Sequence, residues 1–284
     1  MMTMPWERIE SDSYWLVFVA CFILIACWES WRPKKKLIAP VGRRWSRHGM
    51  VMILTALFSV SVCRVGPVIM SLAVAKSRFG LLNKPWLPYP LRFILAVLLL
   101  DLVTYTMHWS YHAVPILWRV HHVHHSDPDF DVSTAGRAHP LEVTLLQGAN
   151  LAAVALLAAP PVAVLTVELL SVAQTVISHA NASLPSWVEK PMRWFFITPD
   201  VHRIHHSEVM EEQWTNYGDI FPWWDYLFRT YRKEPAAGQE HIVVGIKGFQ
   251  NEASIKLGFM LLFPFRRQAQ EAASAETPAA RTSV

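Results

Sequence analysis

The chain has 284 residues, 52% hydrophobic and 17% charged, with a formal net charge of +4. It is too apolar for an ordinary soluble domain, and its mild, segregated basic charge does not read as a nucleic-acid footprint, so membrane embedding is the economical reading. Its three cysteines, Cys21, Cys27 and Cys63, all lie in apolar runs, which argues against a disulfide framework or a cysteine-based zinc site and leaves metal chemistry to the 13 histidines.

An apolar run from Tyr14 to Trp28 follows an acidic first dozen residues, with Trp15, Trp28 and Trp31 as interface anchors. Basic charges follow the run instead of preceding it, the reverse of a cleaved signal peptide, so it is expected to persist as a helix. Arg32, Lys34, Lys35, Lys36, Arg43, Arg44 and Arg47 then crowd one short loop without an acid, which the positive-inside tendency assigns to the cytoplasm. The next apolar stretch, about Met50 to Val74, is interrupted by Arg64, Gly66 and Pro67 and should be kinked or broken there.

Leu91 to His112 forms a helix that rises about 33 Å, enough to cross the hydrocarbon and deliver His108 and His112 to the cytoplasmic side. Asp101, Tyr105, His108 and His112 make one polar stripe on it. Asp101 is expected either to hydrogen-bond the histidine site or to pair with Arg64. Farther on, Pro140 can open a helix with Glu142 in its first turn. Two short apolar runs follow, Leu141 to Ala158 and Val162 to Ser178, joined by A-A-P-P. They read as a hairpin that barely crosses or re-enters the membrane, returning His179 to the face from which His139 departs.

Two near copies stand out: V-H-H-V-H-H-S-D at 120–127 and V-H-R-I-H-H-S-E at 201–208. His121, His124 and His125 answer to His202, His205 and His206, and Thr198-Pro199-Asp200 opens the second copy with a helix start signal. The spacing i, i+3, i+4 places three imidazoles on one helical face, so each copy resembles half of a metal site. Arg203 replaces His122 in the second copy, which excludes a ligand role common to both, while the isolated His48 and His241 read as ordinary loop histidines. The ten candidate metal ligands are therefore His108, His112, His121, His124, His125, His139, His179, His202, His205 and His206, all brought to one membrane surface. The aromatic stretch 215–231 is expected as a lid or an interfacial segment, 242–248 as a small strand, Ile255 to Phe265 as an amphipathic helix, and the tail from about Gln268 as disordered.

The fold class is all-α: a polytopic membrane helical bundle with a cytoplasmic histidine-rich helical cap. Residues 1–90 supply N-terminal membrane helices and the basic loop, 91–232 the histidine-bearing domain, and 233–284 an interfacial segment and tail.

H-x-x-x-H at His108, H-x-x-H-H at His121 and again at His202, with H-P-L-E at His139, H-A-N at His179, N-Y-G at Asn216 and W-D-x-L-F ending at Phe228, resemble the fatty acid hydroxylase and sterol desaturase superfamily. Arg229 stands where that family more often has Gly. The resemblance implies a non-haem diiron enzyme that uses dioxygen to hydroxylate or desaturate an unactivated C–H bond of a membrane lipid, whether fatty acyl, sterol-like or aminolipid. It implies two iron ions, with zinc possible in purified protein, at the cytoplasmic face of a bacterial inner membrane. Asp101, Tyr105, Asp127, Glu142, Asn181 and Glu208 are candidates to orient the imidazoles. No dinucleotide, flavin or Cys-rich motif is present, so a separate ferredoxin-type or cytochrome-type donor is expected. The alternative is a non-catalytic or zinc-holding membrane metal-binding protein.

Overall fold

The computed structural model describes residues 4–77 and 79–266, so the tail expected to be disordered lies outside the described residues. Helices α1 (Met4–Trp31), α2 (Val41–Cys63), α3 (Pro67–Ala75), α4 (Tyr89–Ala113), α5 (Pro115–His125), α6 (Pro140–Leu157) and α7 (Pro161–Ser178) precede a set of short helices. These are α8 (Ser186–Met192), α9 (Pro199–His205), α10 (Met210–Gln213), α11 (Trp223–Phe228) and α12 (Leu257–Leu262). Among the described residues, five stretches are long and apolar enough to cross a membrane: Pro5–Trp31, Val41–Ala75, Tyr89–Ala113, Pro140–Leu157 and Pro161–Ser178. Among the described residues the expected strand at 242–248 is reduced to a single bridge, Ser207 to Val244.

Proline sets most helix starts. It occupies the first or second position of α3, α4, α5, α6, α7 and α9, where its fixed φ fits and its missing N–H costs nothing. The expected break after Met50 is real: α2 ends at Arg64, whose backbone is left-handed (φ 52°), and Pro67 restarts the chain as α3. The Arg64 side chain is exposed and donates to the Ser61 carbonyl (3.3 Å), and Asp101 finds its partners elsewhere. The basic segment also differs from expectation. Because α2 begins at Val41, Arg43, Arg44 and Arg47 ride on its first turns, not on a loop.

Helix α1 packs on α7, α2 on α6, and α4 against both α6 and α7. Their shared core includes Val68, Ala96, Val97, Leu100, Val154, Leu157, Ala163 and Val164. Leu16, Leu24, Leu57, Val60 and Ile94 point outward and stay exposed, as lipid-facing positions do; in that solvent the packing itself, not escape from water, holds helices together. The 18-residue helices α6 and α7 rise about 27 Å, close to the hydrocarbon thickness.

The short helices and α5 form a cap over one end of this bundle. The C-terminal end of α1 reaches it through Glu29, whose carboxylate accepts the backbone N–H groups of Val132 and Asn181, both at 3.0 Å. The N-terminal end of α2 reaches it through Arg44, which is fully buried and donates to Asp127 (2.6 and 2.9 Å), Asp129 (3.3 Å) and Asp131 (3.0 and 3.1 Å). This guanidinium holds the D-P-D-F-D loop that leaves the first histidine repeat, and its fork geometry suits several carboxylates at once.

Candidate metal centre

Nine of the ten candidate histidines gather in the cap as two adjacent clusters. His108, His112, His121, His125 and His205 form the first, and His124, His179, His202 and His206 the second; within each, the facing ligand atoms lie within 4.8 Å of one another. All are buried except His108, which is partly so. The two repeats cross. From α5, His121 and His125 enter the first cluster and His124 the second; around α9, His202 and His206 enter the second and His205 the first. The expected single ligand face of each repeat is therefore corrected. At 3.6 residues per turn, i and i+4 sit about 40° apart whereas i+3 and i+4 differ by about 100°, so a helix straddling two clusters sends the pair one way and the lone member the other.

Five of the nine rings have their tautomer fixed from behind. Backbone carbonyls accept the Nδ1–H of His108 (Tyr217, 2.8 Å), His124 (Arg137, 3.2 Å), His179 (Thr175, 2.7 Å) and His205 (Thr215, 2.8 Å), and the Glu142 carboxylate accepts that of His121 (2.8 Å). With the proton on Nδ1, the lone pair of Nε2 points inward, the form a metal needs. Inside the second cluster the Nε2 atoms of His124 and His179 then face each other at 3.2 Å, and those of His179 and His202 at 3.1 Å. Burial keeps these rings uncharged: it pushes His179 down to about 4 and His121 to about 3, and, with neighbouring imidazoles, carries His124, His125, His202, His205 and His206 well below the usual range. Two lone pairs cannot share a hydrogen bond, so the His124–His179 pairing makes chemical sense around a cation. Both nitrogens of His112, Nδ1 of His125 and His202, and Nε2 of His205 and His206 are likewise buried without a hydrogen-bond partner, which is what a metal-binding cluster leaves for its ion.

Aromatic rings close the site. Tyr111 stacks on His121 (5.4 Å, 18°), Phe130 on His179 (5.5 Å, 25°), and Trp118 leans on His112 (4.7 Å) and His125 (5.3 Å). These walls exclude water and lower the local dielectric.

Several expected site residues act elsewhere. His139 lies outside both clusters: its Nδ1 accepts the Leu141 N–H as the N-cap of α6, and its Nε2 lies 3.3 Å from the Leu261 carbonyl. Among the six candidates to orient imidazoles, Glu142 makes such a contact. Asp101 instead accepts Ile220 N–H (3.2 Å) and Trp224 Nε1–H (2.8 Å), and Tyr105 bonds Thr230 (2.9 Å). Asp127 belongs to the Arg44 ion cluster, Asn181 ties down the Lys35 backbone at 2.8 and 3.0 Å, and Glu208 accepts from Gln250 (2.7 Å). His122 is buried against Phe263 (4.8 Å, 18°), outside both clusters. His48 is no loop histidine; it is buried on α2, with Nδ1 2.8 Å from Ser133 Oγ.

Sequence reasoning missed Arg44, Arg137, Tyr111 and Phe130. Arg137 is fully buried and donates to the Val123 carbonyl, Ser126 Oγ and the Ser254 carbonyl, all at 2.9 Å, which fixes the end of α5. A signal existed for Arg44: three aspartates at alternate positions, Asp127, Asp129 and Asp131, starting on the last residue of the first repeat, demand a buried cation if that loop is not exposed. The carbonyls that anchor the imidazoles carry no side-chain signature at all.

The aromatic stretch 215–231 contributes to the site through those carbonyls. Asp225 accepts the N–H groups of Tyr217 (2.9 Å) and Gly218 (2.8 Å), and so shapes the turn that presents Tyr217 to His108.

Comparison with known proteins covers the same region. Residues 93–230 match the fatty acid hydroxylase family. The chain is 28% identical over 186 residues to an ornithine lipid hydroxylase of Rhizobium tropici, covering 65% of this chain and 53% of that protein. It is 31% identical over 157 residues to an alkylglycerol monooxygenase of Caenorhabditis elegans (54% of this chain, 29% of that protein) and 27% over 175 residues to that of Homo sapiens (59% and 36%). The chain thus spans about half the length of the first relative and about a third of the others. No solved structure matches it significantly. The histidine repeats, the bundle that carries them and these similarities agree: the region 93–230 matches the fatty acid hydroxylase family, and the relatives found are lipid hydroxylases and monooxygenases.

Proposed function

We propose that this protein is a membrane diiron oxygenase that hydroxylates or desaturates an unactivated C–H bond of a lipid. The observation that carries the reading is two adjacent all-histidine clusters in which five rings have their Nδ1–H held by an acceptor from behind and the Nε2 lone pairs of His124 and His179 face each other. His108, His112, His121, His125 and His205 would hold one iron, and His124, His179, His202 and His206 the other. When bound, such a pair would supply Lewis acidity and a redox centre that passes on electrons from an external donor; hydroxylation consumes one dioxygen, two electrons and two protons, and yields an alcohol and water.

The chain's own residues prepare that chemistry. Backbone carbonyls and Glu142 fix ring orientation, and Tyr111, Phe130 and Trp118 keep water from the clusters. Nine neutral ligands leave the charge of the ions undiminished. A separate ferredoxin-type or cytochrome-type protein would supply electrons. The names of the relatives, an ornithine lipid hydroxylase and alkylglycerol monooxygenases, support a polar membrane lipid as substrate. The basic residues Arg32, Lys34, Lys36, Arg43 and Arg47 lie at the same end of the bundle as the histidines, which supports a cytoplasmic active site at a bacterial inner membrane. A zinc carrier would distribute ligands along its spans, whereas here they collect at one end.

The test is metal analysis and donor-dependent oxygen uptake of protein expressed with iron and purified anaerobically in detergent. It is run beside a His124→Ala, His205→Ala double variant, which removes one ligand from each cluster. About two irons per chain, with oxygen uptake lost in the variant, supports the proposal. Zinc alone, with no uptake under any reductant, replaces it with the zinc-holding reading.

A further inference from the structure

Helices α4 and α6 run side by side through the membrane and leave an apolar groove of about 370 Å³ between them, within the size range of small-ligand sites. Leu99, Leu102, Val103 and Met107 line it from α4, and Ala149 and Ala153 from α6. Its lining is apolar apart from Thr106, and both walls lie in membrane-crossing segments, so hydrocarbon is the solvent that fills it. From Leu99 to Met107 it extends about 12 Å along the helix axis.

Both walls lead to the same place. On α4 the stripe 99, 103, 107 continues one turn to Tyr111; on α6 the stripe 153, 149 continues two turns back to Glu142. Tyr111 donates its hydroxyl to the Glu142 carbonyl (2.6 Å) and stacks on His121, while the Glu142 carboxylate accepts His121 Nδ1–H. Beyond its cap-side lining residues, Met107 and Ala149, the groove therefore points toward the Tyr111–Glu142 contact that backs His121 of the first cluster.

Resting on the oxygenase reading, we infer that the α4–α6 groove holds one hydrocarbon chain of the substrate lipid. The chain extends from the clusters toward the far side of the membrane. Its head group then lies at the cap, and the oxidised carbon is within a few bonds of that head group, not in mid-chain.

The experiment labels full-length, iron-loaded protein in nanodiscs with two phosphatidylglycerol probes, one carrying a diazirine near the carbonyl end of an acyl chain and one near its middle. Irradiation is followed by peptide mapping. Expected labelling concentrates on the groove, near Met107 for the first probe and near Leu99 and Ala153 for the second. Equal labelling of Leu16 on α1 and Leu57 on α2 would mean ordinary annular lipid and overturns the inference. An Ala149→Trp, Ala153→Trp variant with unchanged iron content should lose groove labelling at least tenfold; unchanged labelling also overturns it. The wild-type maps decide the matter even if that variant does not fold. Absence of iron or oxygen uptake in the wild type would instead sink the oxygenase reading, whatever the labelling.

Discussion

Glu142 gives the sharpest test of the two-cluster arrangement because it touches one cluster and not the other. Its Oε1 lies 2.8 Å from His121 Nδ1, and His121 serves only the first cluster. Replacing it with Gln keeps a carbonyl oxygen that can accept the bond from His121; replacing it with Ala leaves a buried N–H with no acceptor. Loss of such supporting contacts costs 10- to 100-fold in metal affinity, or about 1.4–2.7 kcal/mol. Glu142→Gln should fall near the lower figure and Glu142→Ala near the upper, for one of two ions. Titration of metal-stripped protein with Co²⁺, followed by its visible absorption against a competing chelator, resolves the two binding steps. One step should weaken while the other keeps its affinity. Equal weakening of both, or of neither, would refute the assignment of His121 to one cluster and of Glu142 as its support.

Three further outcomes follow from the geometry. His139→Asn should retain both metals and near-normal stability, since Asn caps helices well and His139 belongs to neither cluster; loss of one metal on elemental analysis would restore it as a ligand. Arg44→Met should destabilise the protein by about 3–5 kcal/mol, because it leaves three buried aspartates without their cation; a melting curve in detergent close to that of wild type would contradict this. Arg229 holds a left-handed backbone (φ 60°) at the end of α11 while its side chain is exposed, so Arg229→Gly should stabilise by about 1 kcal/mol, read as a raised Tm, and Arg229→Ala should not.

Composition and proline placement made the bundle readable in advance. Apolar runs bounded by Pro67, Pro90, Pro115, Pro140 and Pro161 reappear as helices, and Arg64 with Gly66 and Pro67 marks a true break. That nine of the ten candidate histidines would come together was readable, because few other roles need three imidazoles at such spacing in two copies. Their division between two clusters was not, since it depends on where α5 and α9 lie relative to each other, and spacing along one helix holds no such information. Asp101 misled for a related reason. It shares a stripe with His108 and His112, but the 217–224 segment folds across that stripe and takes its carboxylate for Ile220 and Trp224. His139 misled because a histidine before proline at a helix start is as good a cap as a ligand.

The crossing of the repeats bears on how the site keeps its dimensions. Since the α5 and α9 segments each contribute to both clusters, the separation of the clusters is written into the backbone of two single helical segments: about 100° of rotation between the adjacent residues 124 and 125, and again between 205 and 206. A pair of clusters borne on separate helices would spread and close with every slide of one helix over another. Here each helix acts as a calliper, so loops and spans can flex around the cap while the gauge of the site stays constant.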